Sequence, residues 1–194
     1  LTEGPSTRPR RPGDPVSGFA HVGTRVVSDL GFLTVTVRDV RVPSGEVVER
    51  IVIEHPGAVG VVPLIGDDII LIEQYRAPMD HYVLEIPAGK LDTEPPDPEV
   101  TAQRELEEEV GYTAGTLTYL SEVWTGVGFT NERISLYLGE DLVPGVRTPV
   151  GHEEDAANVV RMPFSRAVDM IVAGDITDAK SVAGILLAAR RGPS

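Results

Sequence analysis

Cysteine is absent from this chain. That removes disulfides, thiolate metal sites and thiol nucleophiles together, and leaves carboxylates and imidazoles as the available metal ligands. Basic residues are scarce: 17 Lys and Arg face 30 Asp and Glu, for a formal charge of −13. A nucleic-acid backbone or an anionic membrane surface is repelled on average by such a protein, and any polyanionic ligand needs cations placed locally. No apolar run approaches the roughly 20 residues required to span a bilayer. The opening "LTEGPSTRPRRPGDP" lacks the apolar centre of a signal peptide and reads as a flexible tail over residues 1–15. No internal repeat or long low-complexity tract is visible. These absences set the expectation of a soluble cytoplasmic protein with no nucleic-acid or membrane partner.

What is present suits one compact domain with a small appendage: 194 residues, 41% of them hydrophobic. "VRDVRVPSGEVVERIVIEH" alternates aliphatic and charged residues around a "PSG" turn, which predicts a hairpin over about Phe32 to Glu54. "AVGVVPLIGDDIILIEQYR" predicts two more strands joined at "GDD", the second apolar enough at its centre to be buried on both faces. "YVLEIPAGKLD" reads as one strand running into a Pro/Gly loop, and "TAGTLTYLSEVWT" and "RISLYLGEDL" as strands around the loop "GVGFTNER". "VGHEEDAANVV" reads as a polar loop leading into a last short strand, "NVVRMPF", and two amphipathic helices close the chain. Strands in series with one central helix and two terminal ones predict an α+β sandwich with a mixed sheet.

The central helix carries the least expected pattern. Asp97 can cap it, Pro98 suits its first position and Gly111 can end it, which places it over Pro98 to Val110. At about 100° per residue, Ala102, Leu106 and Val110 share one face. Glu105, Glu108 and Glu109 cluster beside that face, and Glu107 points away from them. Taken alone, "ELEEE" is a solvated acidic face. Three carboxylates at the edge of a core are costly unless a cation joins them, and hard divalent ions take oxygen ligands. Arg104 stands one turn before Glu108 and can pair with it, and a loop carbonyl such as that of Ala88 can add a further oxygen.

The stretch from Ala88 to Tyr112 resembles the Nudix box, G-x5-E-x7-R-E-U-x-E-E-x-G-U with U aliphatic. Gly89, Arg104, Glu105, Leu106, Glu108, Glu109 and Gly111 occupy its positions. Tyr112 replaces the final aliphatic residue. The interval from Gly89 to Arg104 is one residue longer than the pattern, so the first box glutamate is displaced and Glu94 or Asp97 is left to take its part. "EHPGAVGVVPL", "IEQYRAPM", "LEIPAGKLD" and "GDITDAKSVAGILLAARR" extend the resemblance to the ADP-ribose pyrophosphatase branch of that family. One position departs from the branch: Val127 precedes Gly128 where proline is usual.

The resemblance implies a Nudix-type α/β/α sandwich over 57–194 and an N-terminal antiparallel β-domain over 16–56 that crosses to the partner in a homodimer. It implies Mg²⁺ or Mn²⁺ held by Glu105, Glu108, Glu109 and the Ala88 carbonyl. It also implies a mobile acidic loop in which Glu153 is the catalytic base, with Glu154 beside it and Asp155 or Glu154 as a supplementary ligand. Taken by itself, "HEED" reads as a flexible acidic loop, and Arg76 as a surface arginine ending a strand. By the resemblance, Arg76, Glu85, Gly89 and Gly128 contact substrate, and Arg50 and Glu49 approach it from the partner's hairpin. His152 is expected at the surface. The implied reaction is metal-dependent hydrolysis of ADP-ribose to AMP and ribose 5-phosphate. Alternatives are a pyrophosphatase for another nucleoside diphosphate sugar or a dinucleotide, a non-catalytic ADP-ribose sensor, and an interaction module with an acidic helix.

Overall fold

The computed structural model describes residues 18–92 and 95–191. The tail expected over 1–15, and Glu94, lie outside the described residues. The chain divides into two units, one ending at Ile53 and the other beginning at Glu54.

The first unit holds a three-stranded sheet, β1 (Ala20–Asp29), β2 (Thr34–Arg41) and β3 (Val47–Glu54), in the order β1-β2-β3. The expected hairpin is β2 and β3, closed by a turn in which Gly45 N–H donates to Val42 and Val42 N–H to Glu46. The first strand was not anticipated. It pairs antiparallel with β2, but its register slips between His21 and Gly23 and again between Val26 and Ser28. Such bulges interrupt the period-two alternation by which a strand is recognised.

The second unit is a mixed sheet between helices. Its strands are β4 (Ala58–Ile65), β5 (Asp68–Arg76), β6 (His81–Glu85), β7 (Ala88–Lys90), β8 (Tyr112–Trp124), β9 (Arg133–Pro144) and β10 (Asn158–Pro163). Their order is β10-β5-β4-β9-β8, with β6 against β5 and β7 against β4; β4 and β9 run parallel, the other pairs antiparallel. The helices are α1 (Pro98–Val110), α2 (His152–Asp155), α3 (Phe164–Ala173) and α4 (Ala179–Arg191). None among the described residues is long and apolar enough to cross a membrane.

Alternate side chains of β4 and β5 supply the two cores. Val59, Val61, Ile70 and Ile72 pack with Ala102, Leu106 and Val110 of α1. Val62, Ile69 and Leu71 pack with Ala167, Ile176, Ile185 and Ala188 on the side of α3 and α4. The sheet is thus buried on both faces, as the apolar run in β5 requires. The strand expected across "YVLEIPAGKLD" is two strands. Pro87 has no N–H to give a ladder, and Ile86 N–H is taken by Ser181 Oγ at 2.9 Å, so the chain leaves β5 and joins β4.

Candidate active site

Helix α1 begins and ends where its sequence signals lie. Asp97 Oδ1 accepts the N–H groups of Glu99 (3.0 Å) and Val100 (3.2 Å), and Gly111 closes the helix at φ 75°. Asp97 is therefore engaged as the cap. The acid that Arg104 holds in the preceding loop is Asp92, at 2.8 Å. That pairing ties the lengthened loop to the helix and was not anticipated.

Glu105 and Glu109, one turn apart, are 7% and 4% exposed; Glu108 is half-buried and Glu107 is exposed. Glu109 accepts the Ala88 N–H at 2.7 Å. Arg104 reaches both Glu105 and Glu108 at 2.8 Å. A Cβ on Gly89 would lie 2.0 Å from the Glu105 carboxyl carbon, so only glycine lets β7 approach this side chain. Burial pushes Glu105 up to about 7 against the pull of Arg104, with the charges of Glu108 and Glu154 adding to it. Burial pushes Glu109 up to about 8 despite the Ala88 N–H, and Glu105 and Glu154 again add. Among the described residues, no three Asp, Glu or His side chains are gathered as a ready metal cage. The three box acids are engaged by Arg104 and the Ala88 N–H. The donor set is nonetheless all oxygen, on one helical turn beside β7, and it suits a hard divalent ion. A cation there relieves the cost of ionising two buried carboxylates.

A second cluster lies at the end of β5 and β6. Arg76 donates from Nε and Nη2 to the two oxygens of Glu85, each at 2.7 Å, and Lys180 of α4 donates to the same carboxylate. Lys180 also donates to Asp178 at 3.0 Å, which accepts Ser181 Oγ in turn. Glu85 is 2% exposed; burial works against its ionisation, but the Arg76 bonds and the Lys180 charge hold it below the usual carboxylate range. The Glu85 bond keeps Arg76 charged. Lys180 and Asp178 escaped sequence reasoning because they stand about a hundred residues from Glu85, Lys180 on a helix read only for its apolar face and Asp178 just before it.

The segment read as a polar loop contains the short α2. Glu153 is exposed and its charge bears on Tyr75, whereas Glu154 is half-buried and its charge bears on both Glu105 and Glu109. Asp155 and His152 are exposed. Glu154 Oε2 accepts the Val150 N–H at 2.7 Å. Arg147, also missed, donates from Nε to the Glu109 carbonyl at 2.6 Å and from Nη2 to the Glu154 carbonyl. Gly128 has open space where a Cβ would stand, and Val127 beside it is exposed. Glu49 and Arg50 belong to β3 of the first unit, where Glu49 pairs with Arg25 at 3.1 Å and Arg50 donates to the Glu49 carbonyl.

The NUDIX domain matches residues 54–183. An ADP-ribose pyrophosphatase of Bacillus subtilis (strain 168) is 36% identical over 150 residues, 77% of this chain and 80% of that protein. A methanol dehydrogenase activator of Bacillus methanolicus is 36% identical over the same shares. The crystal structure of an ADP compounds hydrolase superposes with a TM-score of 0.75 at 25% identity, covering 91% of this chain and 95% of that one. With the box acids gathered on α1 and the match spanning most of the second unit, this chain belongs to the Nudix family and is one of its hydrolases.

Proposed function

We propose that this enzyme hydrolyses the pyrophosphate of ADP-ribose to AMP and ribose 5-phosphate, using Mg²⁺ or Mn²⁺. The observation that carries the reading is the pair of buried carboxylates, Glu105 and Glu109, facing the Ala88–Gly89 backbone, in a chain whose relatives include a protein named ADP-ribose pyrophosphatase. Glu105, Glu108 and Glu109, with the Ala88 carbonyl, would hold the metal, which when bound would neutralise phosphate charge and acidify water.

The protein's own groups do the rest. Arg76, charged and oriented by Glu85, offers the remaining N–H groups of its fork to a phosphate. An acid of α2 takes one proton from the attacking water. The water oxygen then bonds to one phosphorus, and the bridging oxygen leaves with the other phosphate. Glu154 is favoured for this over Glu153 because it is half-buried and joined through Arg147 to the Glu109 backbone, whereas Glu153 is exposed; Asp155 stands by as a supplementary ligand. Gly89 and Gly128 give close backbone approach to the substrate.

The protein works as a cytoplasmic homodimer in this reading. The first unit leaves Val22, Val26, Val27 and Ile51 exposed on its sheet, more apolar surface than three strands bear comfortably alone. Glu49 and Arg50 then approach the partner's substrate. Because Val127 replaces the usual proline, the test is a panel of nucleoside diphosphate sugars and dinucleotides with product identification. ADP-ribose is expected to turn over fastest, to stop in chelator and to resume with Mg²⁺ or Mn²⁺. Full activity in chelator, or a faster non-adenylate substrate, contradicts the reading, and sedimentation as a monomer at micromolar concentration contradicts the dimer.

A further inference from the structure

Helix α1 has no basic residue in its last turn, although cations are favoured at that end of a helix dipole. Its final carbonyls are nevertheless satisfied from the segment between β9 and α2. Glu108 O accepts the Thr148 N–H at 3.2 Å, Gly111 O accepts the Gly145 N–H at 2.8 Å, and Glu109 O accepts Arg147 Nε at 2.6 Å. The other edge of the same guanidinium donates to the Glu154 carbonyl. A Cβ on Gly111 would stand 3.1 Å from the main-chain nitrogen of Arg147, so glycine there also permits the close passage of this segment.

Helix α2 is anchored on its C-terminal side, where the Glu154 carbonyl accepts the Ala157 N–H at 3.1 Å and the chain enters β10, and on the side of α1 it is Arg147 that holds it. The helix has four residues, no buried side chain and no side-chain cap, and a single turn is not stable by itself in water. The Val150 N–H bond to the Glu154 carboxylate is internal to the segment and fixes nothing outside it. Arg147 is the side chain that reaches from the backbone of α1 to the backbone of α2.

We propose that Arg147 is the positioning residue of this active site: one guanidinium, bonded to the carbonyls of Glu109 and Glu154, sets the distance between the metal-holding helix and the proton-accepting segment. The inference rests on the assignment of Glu154 given above. Both bonds go to main-chain oxygens, so Arg147 itself occupies neither carboxylate. The planar fork holds two acceptors in fixed relation, which a lysine ammonium on a flexible stem does not.

The test uses the full chain with Arg147→Ala, Arg147→Lys, Glu154→Gln and the Arg147→Ala/Glu154→Gln double variant. Turnover of ADP-ribose with Mg²⁺ is measured alongside amide hydrogen exchange and melting temperature. Arg147→Ala is expected to lower kcat by roughly 10- to 100-fold, the scale of a small misplacement of a catalytic group. KM should stay within about threefold, because substrate binding is not its task. Exchange should rise over residues 148–157 while the start of α1 stays protected, and Arg147→Lys should recover part of the rate. Above all, the double variant should be no slower than Glu154→Gln, since Arg147 acts through that residue. Arg147→Ala with kcat within about twofold of wild type overturns the inference, as does a double variant slower than Glu154→Gln by the full Arg147→Ala factor. Either result leaves Glu154 as the base; near-normal turnover in Glu154→Gln alone overturns both. A protein whose melting temperature falls while kcat at low temperature is unchanged shows that Arg147 only stabilises the fold.

Discussion

Replacing Glu109 by glutamine is expected to destroy activity and, in metal-free protein at alkaline pH, to stabilise the fold. Glu109 is 4% exposed and its carboxyl is pushed from 4.5 up to about 8, first by burial and then by the charges of Glu105 and Glu154. An unfolded chain releases that proton near 4.5 and the folded one holds it until about pH 8. The folded state therefore binds more protons between these limits, and stability falls as pH rises through the window. The slope is at most about 1.4 kcal/mol per pH unit for one group, and the whole shift corresponds to about 5 kcal/mol. Because part of the shift comes from the neighbouring Glu105 charge, and local relaxation softens it, a loss of about 2–4 kcal/mol by pH 8.5 is the working expectation.

Glutamine keeps an oxygen for the Ala88 N–H but cannot ionise. Its amide costs about 1 kcal/mol where an N–H finds no acceptor. Glu109→Gln should thus be about as stable as wild type at pH 5.5 and more stable, by about 1–3 kcal/mol, at pH 8.5 in chelator. For a chain of this size that is roughly 2–12 °C in melting temperature. The range stays above the acid region in which Glu85 acts. Its carboxyl is held low, so the stability it contributes is present above its unfolded value and lost as pH falls through the folded one. Mg²⁺ should raise the wild-type melting temperature at pH 8.5 and release protons, with no comparable effect on the variant. The measurement is thermal unfolding at the two pH values with and without Mg²⁺. A variant equally destabilised at both would refute the claim that Glu109 is ionised against its environment.

Glu154→Gln should lower kcat by roughly 10²- to 10⁴-fold with metal affinity little changed, and Glu153→Gln should cost less; the reverse ranking in steady-state kinetics moves the base by one residue. Gly89→Ala should abolish most activity while the protein still unfolds cooperatively, because its Cβ would displace the Glu105 carboxylate, which lies 2.0 Å away at its carbon, and not the backbone. Gly128→Ala, with open space at its Cβ, should keep its melting temperature but raise KM, because in the proposed reading substrate approaches that backbone; an unchanged KM removes Gly128 from the site. Lys180→Met should destabilise by about 2–3 kcal/mol in denaturant titration, less than a fully orphaned buried charge because Arg76 still holds Glu85.

Helix α1 could be placed from sequence to the residue because its signals are local: a capping aspartate, a proline in the first turn, a left-handed glycine and a 3.6-residue apolar stripe all lie within fifteen positions. The orientation of Glu105 and Glu109 toward the core, and of Glu107 away from it, follows from the same periodicity. What escaped was set by partners distant in the chain. Strand β1 pairs through two bulges that erase its alternation, and the break at Ile86 depends on Ser181, 95 positions on. Nothing near Glu85 in sequence announces Lys180, and nothing in α1 announces that Arg147, 38 residues after Glu109, supplies the cation its last turn lacks. A buried carboxylate or a helix end without a local partner is nevertheless a readable debt, since such groups are almost always satisfied in a folded chain. Glu85 amid apolar neighbours requires a cation, and the two nearest in space come from β5 and α4; the acidic C-terminal turn of α1 requires one too. Sequence thus states that a partner exists, and the crossing of the sheet decides which residue it is.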